Sequence, residues 1–500
     1  QSVLYVVDSV ADMDDESKRR VLIDPNDLSK DGTMALASWV PSDDGKLLAY
    51  AIADGGSDWR TWYVRDVETG KDLDDKIQWS KFSSAAWMPD NSGFYYSAYD
   101  APADGEELTG TNLNQKLYFH RVGTSQAEDQ LIYTRPDHPK WGFGGSVTDD
   151  GRYLIIGNWK GTDPETQVFI KDLRQEDSPV LPLITGFDAE YAVLGSDGDT
   201  LFVFTDLDAP RKRVLAVDAA SATAAETDGD SAGQTPATDP GGKARQGWAT
   251  RIAQTEDTLR GVSHFGDRFI ANYLRDARSA IVQYDSAGKK VKDVQLPGVG
   301  TVGGFGGRDD AKETFYTFTN YTTPPAIYRV DLFNSGDTLK QELLLRPEVP
   351  LDTRSFETRQ VFYKSKDGTR VPMILTYKKG TQLDGSNKTL LYAYGGFNIS
   401  ITPGFSPAVA RWIDAGNVYA VANLRGGGEY GSAWHEAGML DRKQNVFDDF
   451  IAAAEYLIDE KWTSKEHLGV RGGSNGGLLV GAVMTQRPDL FGACLPAVGV

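Results

Sequence analysis

Over the first two-thirds of the chain, short runs of apolar and aromatic residues alternate with polar ones, and each run follows a turn signal. Asp43-Asp44-Gly45 leads into Leu47-Leu48-Ala49-Tyr50, Asn91-Ser92-Gly93 into Phe94-Tyr95-Tyr96, and Asp149-Asp150-Gly151 into Tyr153-Leu154-Ile155-Ile156. Ser196-Asp197-Gly198 precedes Leu201-Phe202-Val203-Phe204, Phe265-Gly266-Asp267 precedes Phe269-Ile270, and Asp309-Asp310 precedes Phe315-Tyr316-Thr317-Phe318. Gly with Asp or Asn supplies the turn dihedrals, and the β-branched and aromatic run behind it suits a strand. The turn glycines recur at intervals of 48, 58, 47 and 68 residues, and a second strand recurs at 63–66, 168–172, 214–218 and 327–331. Multi-strand repeats of this length predict β-propeller blades, whereas a β-sandwich would not explain the period. Six units are visible, and the opening run Val3-Leu4-Tyr5-Val6-Val7 is expected to complete a seventh.

From about Ser355 the pattern changes to strands alternating with helices, the mark of a parallel α/β sheet. Residues 389–394 read as a strand ending at Gly395-Gly396, and 418–424 as another ending at Gly426-Gly427-Gly428. Asn445 is expected to cap a helix with Asp448 near its positive end. The apolar stripe of that helix runs through Phe447, Phe450, Ile451, Ala454, Leu457 and Ile458. Leu468-Gly469-Val470 leads into a glycine-rich turn, and 478–487 reads as the next helix, closed by Pro488. The expected domains are a propeller over 1–348 and the N-terminal part of an α/β domain over 349–500. Residues 219–247, rich in Ala, Thr, Asp, Gly and Ser, are expected to form a flexible insert loop.

Composition narrows the function only a little. Of the 500 residues, 40% are hydrophobic and 25% charged, ordinary for a globular chain, and the length suggests two domains. A net charge of -19 argues against a nucleic-acid or anionic-membrane surface, and no apolar stretch is long enough to span a bilayer. The single cysteine, Cys494, cannot form an intrachain disulfide and is expected to be buried and inert. That leans toward a reducing, cytoplasmic setting, although the chain opens on Gln1 without a Met, which leaves periplasmic or secreted locations open. No metal or cofactor is expected.

The chemistry concentrates in Gly472-Gly473-Ser474-Asn475-Gly476-Gly477. A serine in Gly-x-Ser-x-Gly between a strand and a helix is the nucleophile elbow of α/β-hydrolases. Glycines flank it because the strained turn tolerates little bulk, and the N–H of the next residue, Asn475, aims at the developing oxyanion. Gly229-Asp230-Ser231-Ala232-Gly233 matches the same pattern, but Ser231 has no strand before it and no helix after it, so it is rejected as a nucleophile.

Tyr394-Gly395-Gly396-Phe397-Asn398, Arg425-Gly426-Gly427-Gly428-Glu429-Tyr430-Gly431 and Gly472 to Leu479 together resemble the prolyl oligopeptidase (prolyl endopeptidase) family of serine peptidases. The resemblance implies a seven-bladed β-propeller joined to an α/β-hydrolase domain, and it covers the chain outside the 219–247 insert. It implies that Ser474 is acylated by peptides cleaved on the C-terminal side of proline. Tyr394 Oη and the Asn475 N–H would form the oxyanion hole, while Phe397 and Val500 would line the proline pocket. Tyr394 and Phe397 are also compatible with plain core aromatics. The implied partners are short proline-containing peptides admitted past the propeller, to a protein expected to be a monomer.

The fold's order is Ser, then Asp or Glu, then His, and no histidine follows Ser474. His467 precedes Ser474 on the same strand by ~23 Å at ~3.3 Å per residue, beyond hydrogen-bond reach. His435 lies on the wrong side in chain order, and His120, His138 and His264 fall in the repeats. The hydrolase part is therefore expected to be incomplete and these 500 residues alone to have little activity. The rival reading is a propeller used as a binding scaffold beside a degenerate hydrolase remnant.

Overall fold

Left-handed turn residues close the hairpins that build the repeats. In the computed structural model, which describes residues 1–175, 177–222 and 248–499, Gly45, Gly151, Gly198 and Gly266 all have φ between 52° and 70°. The Asn91-Ser92-Gly93 turn uses Asn91 instead, at φ 59°. Gly93 is needed for space, since a Cβ there would sit 2.1 Å from His120 O.

The described residues fall into two compact units, Gln1–Asp208 with Val214–Thr250, and Ala209–Arg213 with Arg251–Val500. The first unit opens with a two-stranded sheet, Leu4–Val6 paired antiparallel to Arg20–Ile23. Eight strands from Ala35–Pro41 to Gln130–Thr134 then form two blades joined edge to edge. Two four-stranded antiparallel sheets follow, starting at Trp141–Val147 and Tyr191–Asp197. The second unit holds two more, starting at Thr258–Phe265 and Thr301–Gly306. These are the β-propeller blades that the repeat predicts: six complete ones and a two-stranded seventh among the described residues.

The blade cores lie between successive sheets. Trp62 and Val64 of one blade pack with Trp87, Phe94 and Tyr96 of the next, and Tyr95 and Leu117 pack in turn with Phe143 and Ile156. Strand Gly93–Ala98 is buried at every position because both of its faces meet a neighbour. Of the expected 219–247 insert, Ala219–Ser221 form a 3₁₀ turn capped by Asp218, with Ala219 buried. Packing thus continues past the expected start of the loop. Residues 223–247, Ser231 among them, lie outside the described residues.

The second unit ends in a six-stranded sheet ordered Phe356–Lys364, Arg370–Lys378, Val418–Ala422, Thr389–Tyr392, Leu468–Gly473, Ala493–Ala497. The first three pair antiparallel and the rest parallel. Helix α1 (Pro407–Asp414) starts with Ser406 as cap and Pro407 at its first position. A short helix α2 (Ser432–Glu436) and the longer α3 (Gln444–Asp459) and α4 (Asn475–Gln486) follow. Val446, Phe450, Ala453, Ala454 and Leu457 of α3 and Leu479, Val480 and Val483 of α4 pack with Leu391, Ala420 and Val470 of the sheet.

Two local expectations are corrected. Asn445 does not cap α3: the 3₁₀ turn Leu440–Arg442 runs straight into the helix, so Lys443, already helical, occupies the cap position. Asn445 instead donates from Nδ2 to Ala437 O at 2.9 Å. Cys494 is half-buried rather than buried among the described residues; burial still pushes its thiol pKa up.

Candidate active site

Ser474 sits between the end of strand Leu468–Gly473 and the start of α4, at φ 54° and ψ −122°. A non-glycine residue there is strained, and the surroundings must hold it in place. Ser474 N–H donates to Ala497 O at 3.0 Å, while Ser474 O accepts from Gly477 N at 2.8 Å and Leu478 N at 3.1 Å. Glycines let the backbone close up around it: a Cβ on Gly472 would lie 2.1 Å from Gly476 O, and one on Gly476 would lie 2.8 Å from Ala393 O. Helix α4 begins at Asn475, three residues before its expected start. The N–H groups of Asn475 and Gly476 therefore lie in the first turn, lack intrahelical acceptors and carry the positive end of the helix dipole.

The neighbouring parallel strand brings the second expected donor to the same end of the sheet. Thr389–Tyr392 pairs in register with Leu468–Gly473, Tyr392 opposite Arg471, so the Tyr394-Gly395-Gly396 turn emerges beside the elbow. Asn475, only 3% exposed, donates from Nδ2 to Tyr394 O at 2.6 Å. A Cβ on Gly396 would lie 2.6 Å from Asn475 Nδ2, so this turn needs a glycine there. The Asn475 side chain and the Tyr394 carbonyl thus meet.

Family models match the chain on both sides: "Prolyl oligopeptidase, N-terminal beta-propeller domain" over residues 1–342 and "Prolyl oligopeptidase family" over residues 403–500. The chain belongs to the prolyl oligopeptidase family. It is 43% identical over 500 residues to a prolyl endopeptidase of Elizabethkingia miricola, covering all of this chain and 66% of that relative. A prolyl endopeptidase of Dictyostelium discoideum is 35% identical over 524 residues, with 96% of this chain and 66% of the relative covered. The chain thus spans a little under two-thirds of the length of these relatives. Among solved structures, prolyl oligopeptidase B from Galerina marginata bound to a 35mer hydrolysis and macrocyclization substrate superposes with TM-score 0.87 at 30% identity. That match covers 100% of this chain and 69% of the other.

The remaining expected prolyl oligopeptidase residues fare differently. Phe397 has φ 55° and is 67% exposed among the described residues. Val500 lies outside the described residues. Among the described residues, no hydrogen bond joins Ser474 to any of the five histidines. His467 is exposed, its Nδ1 3.2 Å from Ser464 Oγ, at the opposite end of the strand from Ser474. His435 Nδ1 lies 2.7 Å from Gly426 O and 3.1 Å from Asn398 N, bracing the turn that follows Phe397. His138 stacks on Trp141, and His264 contacts Asp309 at 2.8 Å. His120 is buried between Asp75 and Asp129, at 2.9 and 2.7 Å. Burial pulls its imidazole pKa down, but the bonds to Asp129 and Asp75 outweigh that and hold it up at about 9.

Two residues around the elbow, Lys443 and Asp449, escaped the sequence reading, and Glu429 entered it only as part of a motif, without a role. Lys443 Nζ donates to Asn475 Oδ1 at 2.9 Å and Gly395 O at 3.0 Å. Asp449, wholly buried on α3, binds Arg425 through Nε at 3.0 Å, Nη2 at 2.6 Å and the backbone N–H at 3.0 Å. Arg425 also reaches Asp367 at 2.5 Å and holds that carboxyl down at about 2. Glu429 is buried beneath the 398–401 turn; its Oε1 accepts from Ile401 N at 3.0 Å and Asn423 Nδ2 at 3.1 Å, while Oε2 has no partner among the described residues. Desolvation drives its pKa up to about 7. Asp449 left a signal: a carboxylate at i+3 from Val446, on the apolar stripe, calls for a buried cation.

Proposed function

We propose that Ser474 is the nucleophile of a serine peptidase that cleaves short peptides after proline through an acyl-enzyme. The observation that carries this reading is the strained Ser474 backbone, φ 54° and ψ −122°, with the Asn475 N–H opening α4 beside it. In this reading Ser474 Oγ attacks the prolyl carbonyl carbon, and the oxygen that becomes negative is met by the Asn475 N–H and Tyr394 Oη. One such donor is typically worth about 3 kcal/mol in the transition state. Phe397 supplies an exposed apolar face against which a pyrrolidine ring can lie. The relatives' printed names, prolyl endopeptidase and prolyl oligopeptidase, support this substrate class.

Ser474 Oγ has no histidine within hydrogen-bond distance among the described residues, and a serine without a base is a weak nucleophile. We therefore expect these 500 residues alone to cleave an acyl-Gly-Pro fluorogenic amide at close to background. The gene product at its full natural length should cleave it, and Ser474→Ala should abolish that activity. Pro-directed cleavage that survives Ser474→Ala would overturn the assignment. Fast, Ser474-dependent turnover by the 500 residues alone would overturn the expectation of weak activity.

A further inference from the structure

The two proposed oxyanion donors come from different segments, and neither segment fixes the other through sheet hydrogen bonds at the point where they meet. Strand Thr389–Tyr392 ends before Tyr394, and strand Leu468–Gly473 ends before Ser474. A three-bond bridge spans the gap. Asn475 Nδ2 donates to Tyr394 O, Lys443 Nζ donates to Asn475 Oδ1, and the same Nζ donates to Gly395 O. Asn475 is buried, so these bonds act at low dielectric and are worth more than on the surface. Lys443 reaches both acceptors from the cap position just ahead of α3, whose Val446 packs on the same turn. A Cβ on Gly395 would lie 2.4 Å from Val446 Cγ1.

The charge of Lys443 is the informative part. No carboxylate pairs with it among the described residues, and burial lowers its pKa. A neutral amide could satisfy the two oxygens without that cost. An ammonium kept unpaired one side chain away from the elbow is suited to a place where negative charge develops.

Resting on the serine-peptidase reading, we propose that Lys443 is a positioning residue for the reaction: it fixes the Asn475 N–H and the Tyr394 turn in one geometry and supplies a positive charge behind the oxyanion. The bridge contributes little to binding the ground-state peptide, so its loss falls on kcat rather than KM.

The test uses the protein at its full natural length, with acyl-Gly-Pro amide as substrate, in a background where Cys494 and any other cysteine are replaced by Ser. Lys443→Met is expected to lower kcat by about tenfold to a hundredfold, with KM within about twofold. Lys443→Cys alkylated with 2-bromoethylamine restores an ammonium at the same reach and is expected to recover most of kcat. A kcat within about twofold of wild type for Lys443→Met, or no recovery on aminoethylation, would overturn the proposal. If Lys443→Met does not fold, Lys443→Gln, which keeps a donor but no charge, is judged by the same criteria. Activity in wild type that does not depend on Ser474 would sink the peptidase reading instead. The tie itself is then judged by amide exchange: both 394–397 and 474–477 should exchange faster in Lys443→Met, and unchanged exchange in either segment refutes it.

Discussion

Glu429 links the fold to pH in a way that can be measured. Its side chain is 1% exposed, and burial lifts its pKa from an ordinary 4.5 to about 7 despite the bonds from Ile401 N and Asn423 Nδ2. A carboxyl raised in this way binds its proton more tightly in the native state than in the unfolded chain. Its contribution is therefore fully present below pH 4.5 and drains away as the pH climbs to about 7. At 1.36 kcal/mol per unit, the swing is about 3 kcal/mol. Replacing Glu429 with Gln keeps an acceptor for Ile401 N and Asn423 Nδ2 and removes the proton equilibrium.

Calorimetric unfolding of wild type and Glu429→Gln at pH 5 and pH 8 reads the effect, taking the transition of the second unit. Between pH 5 and pH 8 about 2.5 kcal/mol of that swing is realised, and for a unit of this size each kcal/mol moves Tm by about 2–4 °C, so wild type should lose about 5–10 °C more than the variant. The comparison cancels every other titrating group. Equal Tm losses in the two proteins would refute the reasoning, because they would mean that Glu429 is solvated or ionised in the native state at both pH values.

Asp449→Ala leaves the buried Arg425 guanidinium without its main partner, and removing one member of a buried pair costs about 3–5 kcal/mol. Chemical denaturation should show that loss in the second unit, and Asp449→Ala with Arg425→Met should recover part of it. His120 sits between two buried carboxylates with its pKa raised to about 9, so its stabilisation is complete below about pH 6.5 and is lost as the pH rises through 9. Melting of the first unit at pH 7 and pH 10 should show a fall in Tm that is smaller in His120→Gln; an equal fall would count against the paired imidazolium.

What could be read in the sequence depended on how many segments a feature needs. The elbow is carried by one run, Gly472 to Gly477, in which Gly472, Gly476 and Gly477 each answer to a close backbone approach. The strand before it and the helix after it were therefore legible, even though α4 starts at Asn475 rather than at residue 478. Blades were legible for the same reason, since each turn signal and its strand are local and the repeat multiplies the signal. Tyr394 was reached only through a family resemblance, because nothing in Tyr-Gly-Gly-Phe says that the neighbouring strand will be the one bearing the serine. Lys443 fell outside that reach altogether, and Asp449 left only the signal of a carboxylate on an apolar stripe. Their partners, Asn475 and Gly395 for one and Arg425 for the other, are set by how α3 lands on the sheet. The misplaced cap belongs here too: Asn445 looks like a cap to local propensity, but the 3₁₀ turn feeding α3 leaves it inside the helix, where it bonds Ala437 O instead. Phe397 shows the converse, a residue whose type suggests a core and whose left-handed backbone, φ 55°, leaves it 67% exposed among the described residues.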